Sequence, residues 1–293
     1  MIAFALLAVG ACGGGGEAAS TTVDHTGHTA TTVGASGTLP ADAVAIRASS
    51  DIGMGAERLL VGLGDPTGGR LGSPDQALSV TVYPEGDPGA SMTTDGTWMW
   101  IVAGVTGLYR ADFDFGQAGT WVAEVTPSGG DPLEPFVFTV QDDTSAPGLG
   151  EPAPAPPTPT LDGSTIEELS SDSDPDPAFY RWSLDEAIGN GSTTVVVFST
   201  PAFCVSAACG PLLDNVKAIA PEHPDVQFVH VEVFTGLTDP DFAPDAAHLA
   251  PAVGPDWYNL PSEPWVFVVD GEGTVVARFE GVMDTAELAA VLG

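Results

Sequence analysis

Residues 195–214, VVVFSTPAFCVSAACGPLLD, decide how the second half of this chain folds. The β-branched and aromatic run at 195–198 predicts a buried strand that ends at Ser-Thr-Pro. Cys204 and Cys209 follow with four residues between them, and apolar residues then recur at helical spacing over 212–219. A helix start beside two cysteines supplies backbone N–H groups and a positive dipole end, which favour thiolate over thiol. The stretch therefore predicts a strand, a cysteine pair and a helix, in that order.

The spacing of the two cysteines restricts where that helix can begin. A disulfide requires Cα atoms within about 7 Å, whereas residues five apart on an ideal helix lie about 8–9 Å apart. If the helix begins at Pro211, residues 204–209 form a loop that can close a bridge. If it begins near Val205, Pro211 kinks the helix, and oxidation requires unwinding.

The composition restricts the classes of partner. The chain has 293 residues, enough for two domains, and carries 40 acidic against 7 basic residues, for a formal charge of −33. Such a charge repels nucleic acid and offers no basic patch to anionic lipid, so no nucleic-acid partner is expected. The acids are spread over the loops, which indicates solubility rather than an acidic tail.

A second element, Glu263-Pro264-Trp265, joins the cysteine turn in a resemblance to the thioredoxin superfamily over residues 161–293. In thioredoxin-like proteins a cis-proline opens the strand beside the cysteine pair, and Pro264 stands at that position. The family's closing unit is matched by two predicted strands and a helix, at 265–269, 275–279 and 284–292. The usual pair has two intervening residues, whereas this one has four.

That resemblance implies thiol–disulfide exchange on partner proteins, with no cofactor. Cys204 is expected to attack, and Cys209 to resolve the mixed disulfide. Phe203 and Trp265 are expected to shield the sulfurs. Pro264 and Glu263 are expected to meet the partner at a strand edge.

Glu232 is a candidate proton carrier for the buried thiol, because it lies on the neighbouring predicted strand. An exposed strand carboxylate is the alternative interpretation of this residue. Thioredoxins commonly place an aspartate six residues before the first cysteine, and Phe198 occupies that place here.

Two other functions fit the cysteine pair. Some peroxiredoxins also separate their cysteines by four residues after a Thr-Pro-rich turn, and this resemblance implies a thiol peroxidase that needs a partner arginine. Arg181 and Arg278 are the candidates in this half of the chain. Alternatively, the pair is a permanent disulfide in a non-catalytic scaffold or binding lipoprotein.

Metal delivery is a weaker interpretation. Copper-handling relatives of this fold add a distal histidine to two cysteines, and His223, His230 and His248 are available. His230 alternates with valines, which predicts a polar-face or hydrogen-bonded strand residue, while His248 lies on an insertion that can overhang the site. The cysteine spacing differs from that family's, so no metal site is expected.

The beginning of the chain carries an export pattern. Residues 1–11 are apolar, and Val9-Gly10-Ala11-Cys12 resembles a bacterial lipoprotein box, although no Lys or Arg precedes the apolar run. The resemblance implies lipidation of Cys12 and anchoring in the bilayer, at the outer face of the cytoplasmic membrane of a bacterial envelope. Residues 12–40 are then a disordered tether. Partners are expected to be extracytoplasmic protein thiols or disulfides.

The first half of the chain predicts an all-β module at residues 41–142. Seven short strands are expected, at 43–48, 58–63, 78–83, 98–102, 108–115, 121–125 and 136–140. Their number and turn signals, with a resemblance to envelope modules, indicate an immunoglobulin-like sandwich that serves as a spacer or docking module. Residues 143–160 are a proline-rich linker.

Beyond the linker, residues 161–293 predict an α/β domain of the thioredoxin-like class, because strands and helices alternate. A capping-box pattern at 183–186 opens a short helix, and residues 226–234 alternate as a strand. Residues 235–260 form a long insertion with a helical turn expected at 246–250. The whole chain is thus predicted to contain two domains, an immunoglobulin-like sandwich and a thioredoxin-like α/β fold.

Overall fold

The computed structural model describes residues 39–293. These residues contain far more strand than helix, with 34% of them in strands and only 16% in helices, so the β-rich first half is compatible with the sequence pattern. Its strands, within residues 39–142, are β1 (Val44–Arg47), β2 (Gly55–Gly64), β3 (Arg70–Leu71), β4 (Leu78–Pro84), β5 (Met92–Asp95), β6 (Thr97–Val102), β7 (Thr106–Phe115), β8 (Gly119–Pro127) and β9 (Phe136–Val140).

These strands form two antiparallel sheets that share one core. One sheet has the order β1-β2-β7-β6, with β3 paired to β2, and the other has the order β5-β4-β8-β9. Leu59 of β2 and Val80 of β4 are both fully buried in the same hydrophobic cluster. The two sheets therefore pack face to face over alternating inward side chains.

All seven strands predicted here are present, and β3 and β5 were missed. β3 has only two residues, and β5, with the sequence MTTD, has alternating exposure but no bulky apolar side chain besides its methionine. Along β7 the residues at 109, 111, 113 and 115 are buried while those at 112 and 114 are exposed. The predicted half-buried strand is thus confirmed.

The second part of the chain contains a mixed sheet with helices on it. Its elements are α1 (Ile166–Leu169), α2 (Leu184–Ala187), β10 (Thr194–Ser199), α3 (Cys209–Ile219), β11 (Gln227–Glu232), β12 (Trp265–Val269), β13 (Val275–Glu280) and α4 (Thr285–Leu292). The strand order is β11-β10-β12-β13, with β10 parallel to β11 and antiparallel to β12.

Each face of this sheet has its own core. Leu213 of α3 and Leu288 of α4 pack with Val197 and Val266 on one face. Tyr258, from the insertion, packs with Phe198 and Phe267 on the other. β10 is consequently buried along its whole length, as its continuous apolar run predicts.

The proline-rich segment is extended and packed against the second part. The Gly150 N–H donates to the Val275 carbonyl (2.8 Å), and the Val275 N–H donates to the Glu151 carbonyl (2.9 Å). The Ala153 N–H donates to the Gly273 carbonyl (2.8 Å). The segment therefore lies along β13.

The outer face of the β2–β7–β6 sheet contacts the second part directly. Leu60, Met99 and Leu108 of this sheet form a buried cluster with Val282, which follows β13. This contact places the first part beside the end of the mixed sheet that carries the cysteine turn.

Candidate functional site

The cysteine pair lies where β10 leads into α3. α3 begins at Cys209, so Cys204 lies in a non-helical loop and the two residues do not share a regular helix. Their sulfurs form a disulfide, and their Cα atoms are 5.9 Å apart. Pro211 lies in the first turn of α3, where a backbone N–H would have no partner within the helix. The loop alternative is thus the one that forms, with a helix start two residues before Pro211.

The two cysteines differ in exposure and in contacts. Cys209 is fully buried, whereas Cys204 is only partly buried. The Cys204 sulfur accepts a hydrogen bond from the Cys209 N–H (3.2 Å) and lies 3.3 Å from the Ser206 hydroxyl. Both groups can donate to sulfur at the start of a helix, which favours a thiolate on Cys204 once the bridge is reduced.

The loop between the cysteines is solvent-facing and tightly turned. Val205 is 94% exposed, which is unusual for a large apolar side chain and places it at the tip of the loop. Ala207 has a φ of +62°, a left-handed conformation that residues other than glycine rarely adopt. The turn returns the chain to Ala208, which is buried and precedes α3.

Pro264 lies beside the cysteine turn, since β12 pairs with β10 and Trp265 is opposite Phe198. The Glu263–Pro264 peptide bond is cis. Pro264 is buried, and its carbonyl already accepts the Gly281 N–H (2.8 Å). In contrast, the N–H and carbonyl of Glu263 form no hydrogen bond within residues 39–293. The strand edge expected to meet a partner at Pro264 therefore lies one residue earlier, where the N–H and carbonyl of Glu263 are unpaired among the described residues.

Phe203 lies in an aromatic cluster with the insertion. Its ring is 5.1 Å from that of Phe242 and 6.3 Å from that of Phe234. Residues 235–260 thus pack against the residue next to Cys204, as expected of an overhanging segment. His248 stacks edge-on to Phe242, and its Nδ1 lies 3.1 Å from the Asp245 carboxylate.

Trp265 is not brought to the sulfurs. It is buried in the core on the face opposite α3, where it stacks on Phe267 at 5.5 Å. The Arg278 guanidinium lies 5.1 Å from the Trp265 ring, and the Trp265 Nε1–H donates to the Ser262 hydroxyl (3.2 Å). The expectation that Trp265 shields the disulfide is corrected, because its side chain points to the other side of the sheet.

Glu232 is buried, so the interpretation of an exposed strand carboxylate is wrong. It ends β11 opposite Ser199 and accepts hydrogen bonds from the Ser171 N–H (2.8 Å) and hydroxyl (2.7 Å). Burial raises the pKa of Glu232, although these hydrogen bonds oppose the shift. The Ser171 hydroxyl also accepts the Ala202 N–H (3.2 Å), which links Glu232 to the loop that carries Cys204.

His230 is a fully hydrogen-bonded core residue, as one of its two interpretations predicted. Its Nδ1 lies 2.7 Å from the Tyr180 hydroxyl, and its Nε2 lies 2.8 Å from the Ser199 hydroxyl. Burial lowers the pKa of His230 to about 4, so the ring is neutral at pH 7.

Neither of the two candidate peroxidase arginines, Arg181 and Arg278, is bound at the cysteine pair. Arg278 donates to the Asp51 backbone carbonyl (2.6 Å) and to the Thr144 hydroxyl (2.9 Å), and it pairs with the Asp51 carboxylate. Arg181 lines a surface pocket with His223. Neither arginine contacts the Cys204 or Cys209 sulfur.

The described residues offer neither a metal-binding cluster nor a membrane-spanning helix. Residues 39–293 contain no cluster of three or more His, Cys, Asp or Glu side chains arranged to hold a metal ion. Over the same residues, no helix has the length and apolarity needed to span a membrane. Cys12, the expected lipidation site, lies outside the described residues, as do the expected leader and most of the tether.

Comparisons with protein-family models, curated proteins and solved structures find no match to this chain.

Two polar residues of the site were missed from the sequence. Ser206 contacts the Cys204 sulfur, and Ser171 joins Glu232 to the cysteine loop. Ser206 could have been found by its position between the cysteines. Ser171 could not, because it is 61 positions from Glu232 and no local pattern connects the two.

Proposed function

We propose that this protein exchanges disulfides with exported partner proteins, as a thioredoxin-like module joined to an immunoglobulin-like one. The observation that carries the proposal is the asymmetry of the pair. Cys204 is accessible and its sulfur faces the Cys209 N–H at the start of α3, whereas Cys209 is fully buried. This is the arrangement that an attacking thiolate and a resolving thiol require.

In the reducing direction, the reduced Cys204–Cys209 pair transfers two electrons to a partner disulfide. The Cys204 thiolate attacks one sulfur of a partner disulfide, forms a mixed disulfide and releases the other sulfur as a thiolate, which takes up a proton. Cys209 then loses its proton and attacks the Cys204 sulfur, which closes the internal disulfide and releases the second partner thiolate. Two electrons pass from the protein's dithiol to the partner, and the reverse sequence oxidises the partner.

The neighbouring residues have supporting roles in this proposal. Phe203, packed on the insertion, forms an apolar wall beside Cys204. The free N–H and carbonyl of Glu263 offer hydrogen bonds to the partner's main chain. Glu232, whose pKa is raised by burial, is proposed as the proton acceptor for Cys209. With a lipid on Cys12, the reaction would take place at the outer face of the cytoplasmic membrane.

The assignment of the two thiols is tested by trapping. Each variant is made in the full chain with Cys12→Ala, so that no third thiol interferes, and is mixed with a fluorescent peptide dimer linked by a disulfide. Cys209→Ser is expected to accumulate a mixed disulfide through Cys204, because no resolving thiol remains. Cys204→Ser is expected to accumulate none, because Cys209 is buried. Trapping in both variants, or in neither, contradicts the proposal.

The reduction potential separates exchange from a structural role. A reduction potential of the Cys204–Cys209 disulfide well below about −300 mV would identify a permanent bridge. A potential nearer those of thioredoxins and oxidases would identify exchange chemistry. The potential is measured by equilibration with defined thiol buffers followed by alkylation. No contact in the site favours the peroxidase alternative over exchange.

A further inference from the structure

A cleft lies between the first part of the chain and the cysteine loop. Its volume is about 450 Å³, within the range of about 300–1,000 Å³ that is usual for ligand sites. One wall comes from the β1–β2–β7 face, and the other includes Ser206 and Ala208 of the cysteine loop together with Glu263. Ser206 touches both the cleft and the Cys204 sulfur, so an occupant would lie next to the disulfide.

Glycines in the strands keep this cleft open. Gly62 and Gly64 of β2 and Gly107 of β7 all line it, and none of the three has a positive φ. A Cβ at Gly107 would clash with the Met99 carbonyl, and one at Gly64 would crowd Ile46. At Gly62, however, the nearest heavy atoms would be 3.8 and 4.0 Å away. Neither conformation nor crowding requires glycine there, and glycine weakens a strand interior.

The floor of the cleft is apolar. Ile46 of β1 is 51% exposed on it and Ile101 is partly buried, while Leu108 and Val282, which also line the cleft, are buried beneath. An exposed aliphatic side chain beside a glycine-lined hollow is typical of a surface that receives another chain.

The charged groups of the cleft differ in whether they have partners. The Glu280 carboxylate accepts hydrogen bonds from Ser50 and Ser262, and the Asp65 carboxylate is bound within its own turn. The half-buried Glu263 carboxylate has no hydrogen bond or ion pair with any residue in 39–293, and burial raises its pKa. Among the described residues, Arg70 is the one basic residue that lines the cleft, and it forms no ion pair with Glu263. A cation of the occupant facing Glu263 would supply the missing partner, while strongly acidic segments are disfavoured by a chain of net charge −33.

We propose that this cleft binds an extended apolar segment of a partner protein, with a lysine or arginine of that segment facing Glu263. The binding itself depends only on the cleft. That it presents the partner's cysteine to Cys204 rests on the proposed exchange function.

The test uses a peptide that cannot react. A labelled peptide of about eight residues carries two leucines, a lysine, and a serine in place of cysteine, and its affinity for the full chain is measured by fluorescence anisotropy. Gly62→Phe, which fills the hollow, is expected to weaken binding about tenfold or more. Gly116→Phe is the matched control, because Gly116 lies in the β7–β8 turn with open space around it, and it should bind like the wild type.

A second pair of measurements tests the charge. The wild type should prefer the lysine peptide to one with glutamate at the same position by about fivefold, and Glu263→Gln should reduce that preference. Ile46→Gln, at a position that is 51% exposed, removes apolar surface from the floor without adding a charge that could attract the lysine. It should weaken binding of the lysine peptide, and it serves if Gly62→Phe does not fold.

The outcomes distinguish the two proposals. No binding to the wild type, or unchanged binding in both Gly62→Phe and Ile46→Gln, overturns the cleft proposal even if Cys204 traps partners. A concentration-dependent dimer that Gly62→Phe abolishes would also overturn it, because a second copy would then occupy the cleft. Peptide binding without any trapping by Cys209→Ser would leave the cleft intact and contradict the exchange function.

Discussion

His230 makes the stability of the mixed sheet depend on pH. Its ring is enclosed between Tyr180 and Ser199, and burial lowers its pKa to about 4 from an ordinary 6.5. Between these values the unfolded chain binds more protons than the folded one, so stability is lost as the pH falls from 6.5 towards 4. A shift of this size corresponds to roughly 3 kcal/mol.

We therefore predict that His230→Phe removes most of this pH dependence. The variant should be less stable at pH 7 by about 1–3 kcal/mol, because the Tyr180 and Ser199 hydroxyls lose their partner. Its deficit should shrink, or reverse, as the pH approaches 4.5. Urea unfolding of both proteins at several pH values measures the difference.

Tyr180→Phe is the informative control. It removes a hydrogen bond from His230 but keeps the ring buried, and burial is the largest cause of the lowered pKa. The control should therefore lose stability and keep the pH slope of the wild type. Equal slopes in wild type and His230→Phe would show that His230 is not the titrating group.

The turn between β10 and α3 is closed by a short disulfide loop. The cross-linked residues are five positions apart, and a loop of this length restricts the unfolded chain by about 2 kcal/mol. We predict that reduction lowers the free energy of unfolding by about that amount. Urea unfolding with and without reductant measures it, and Cys209→Ser, which has no bridge, should not respond. A much larger loss would indicate that the bridge holds the fold together.

The elements also show what sequence patterns can predict. β10, β12 and α4 were predicted within one residue of their bounds, because continuous apolar runs and the Asp284 capping box are local signals. The residue at which α3 begins was not fixed by Pro211, since proline is tolerated at any position of the first turn of a helix. The turn expected at 246–250 is not helical, and a 3₁₀ turn forms instead at Pro251–Val253, where proline occupies the first position.

Side-chain placement in the site was harder to predict. Every residue of β12 is buried, so no alternation indicates which face Trp265 takes. Glu232 is buried because Ser171, from a distant loop, covers it and supplies hydrogen bonds. The cleft was not predictable, since it forms from β-strands and a loop that are 98 or more positions apart, as Leu108 and Ser206 are.

Three of the few basic residues join the two parts of the chain. Only 7 of the 293 residues are basic, yet three arginines lie where the parts meet. Arg278 of β13 pairs with Asp51, while Arg58 of β2 and Arg110 of β7 both pair with Glu287 of α4. Glu287 is almost enclosed, with 11% of its side chain exposed. These ion pairs join the two parts that form the walls of the cleft.

We predict that Glu287→Gln loosens this contact. The amide keeps the shape but removes the charge that Arg58 and Arg110 share, and a mostly buried arginine without its partner is costly. Stability should fall by about 2–3 kcal/mol, and calorimetry should separate one unfolding transition into two. The change should also weaken binding of the cleft peptide, because the wall that carries β2 is no longer held against α4.

Asp112→Asn distinguishes this effect from a general loss of charge. Asp112 pairs with the same Arg110, but 57% of its side chain is exposed, so its removal should change stability by less than about 1 kcal/mol. If Asp112→Asn and Glu287→Gln had equal effects, or if Glu287→Gln kept one cooperative transition and wild-type peptide affinity, the arginines would not be what fixes the cleft. The contact would then depend on the apolar cluster of Leu60, Leu108 and Val282 alone, which both variants leave unchanged.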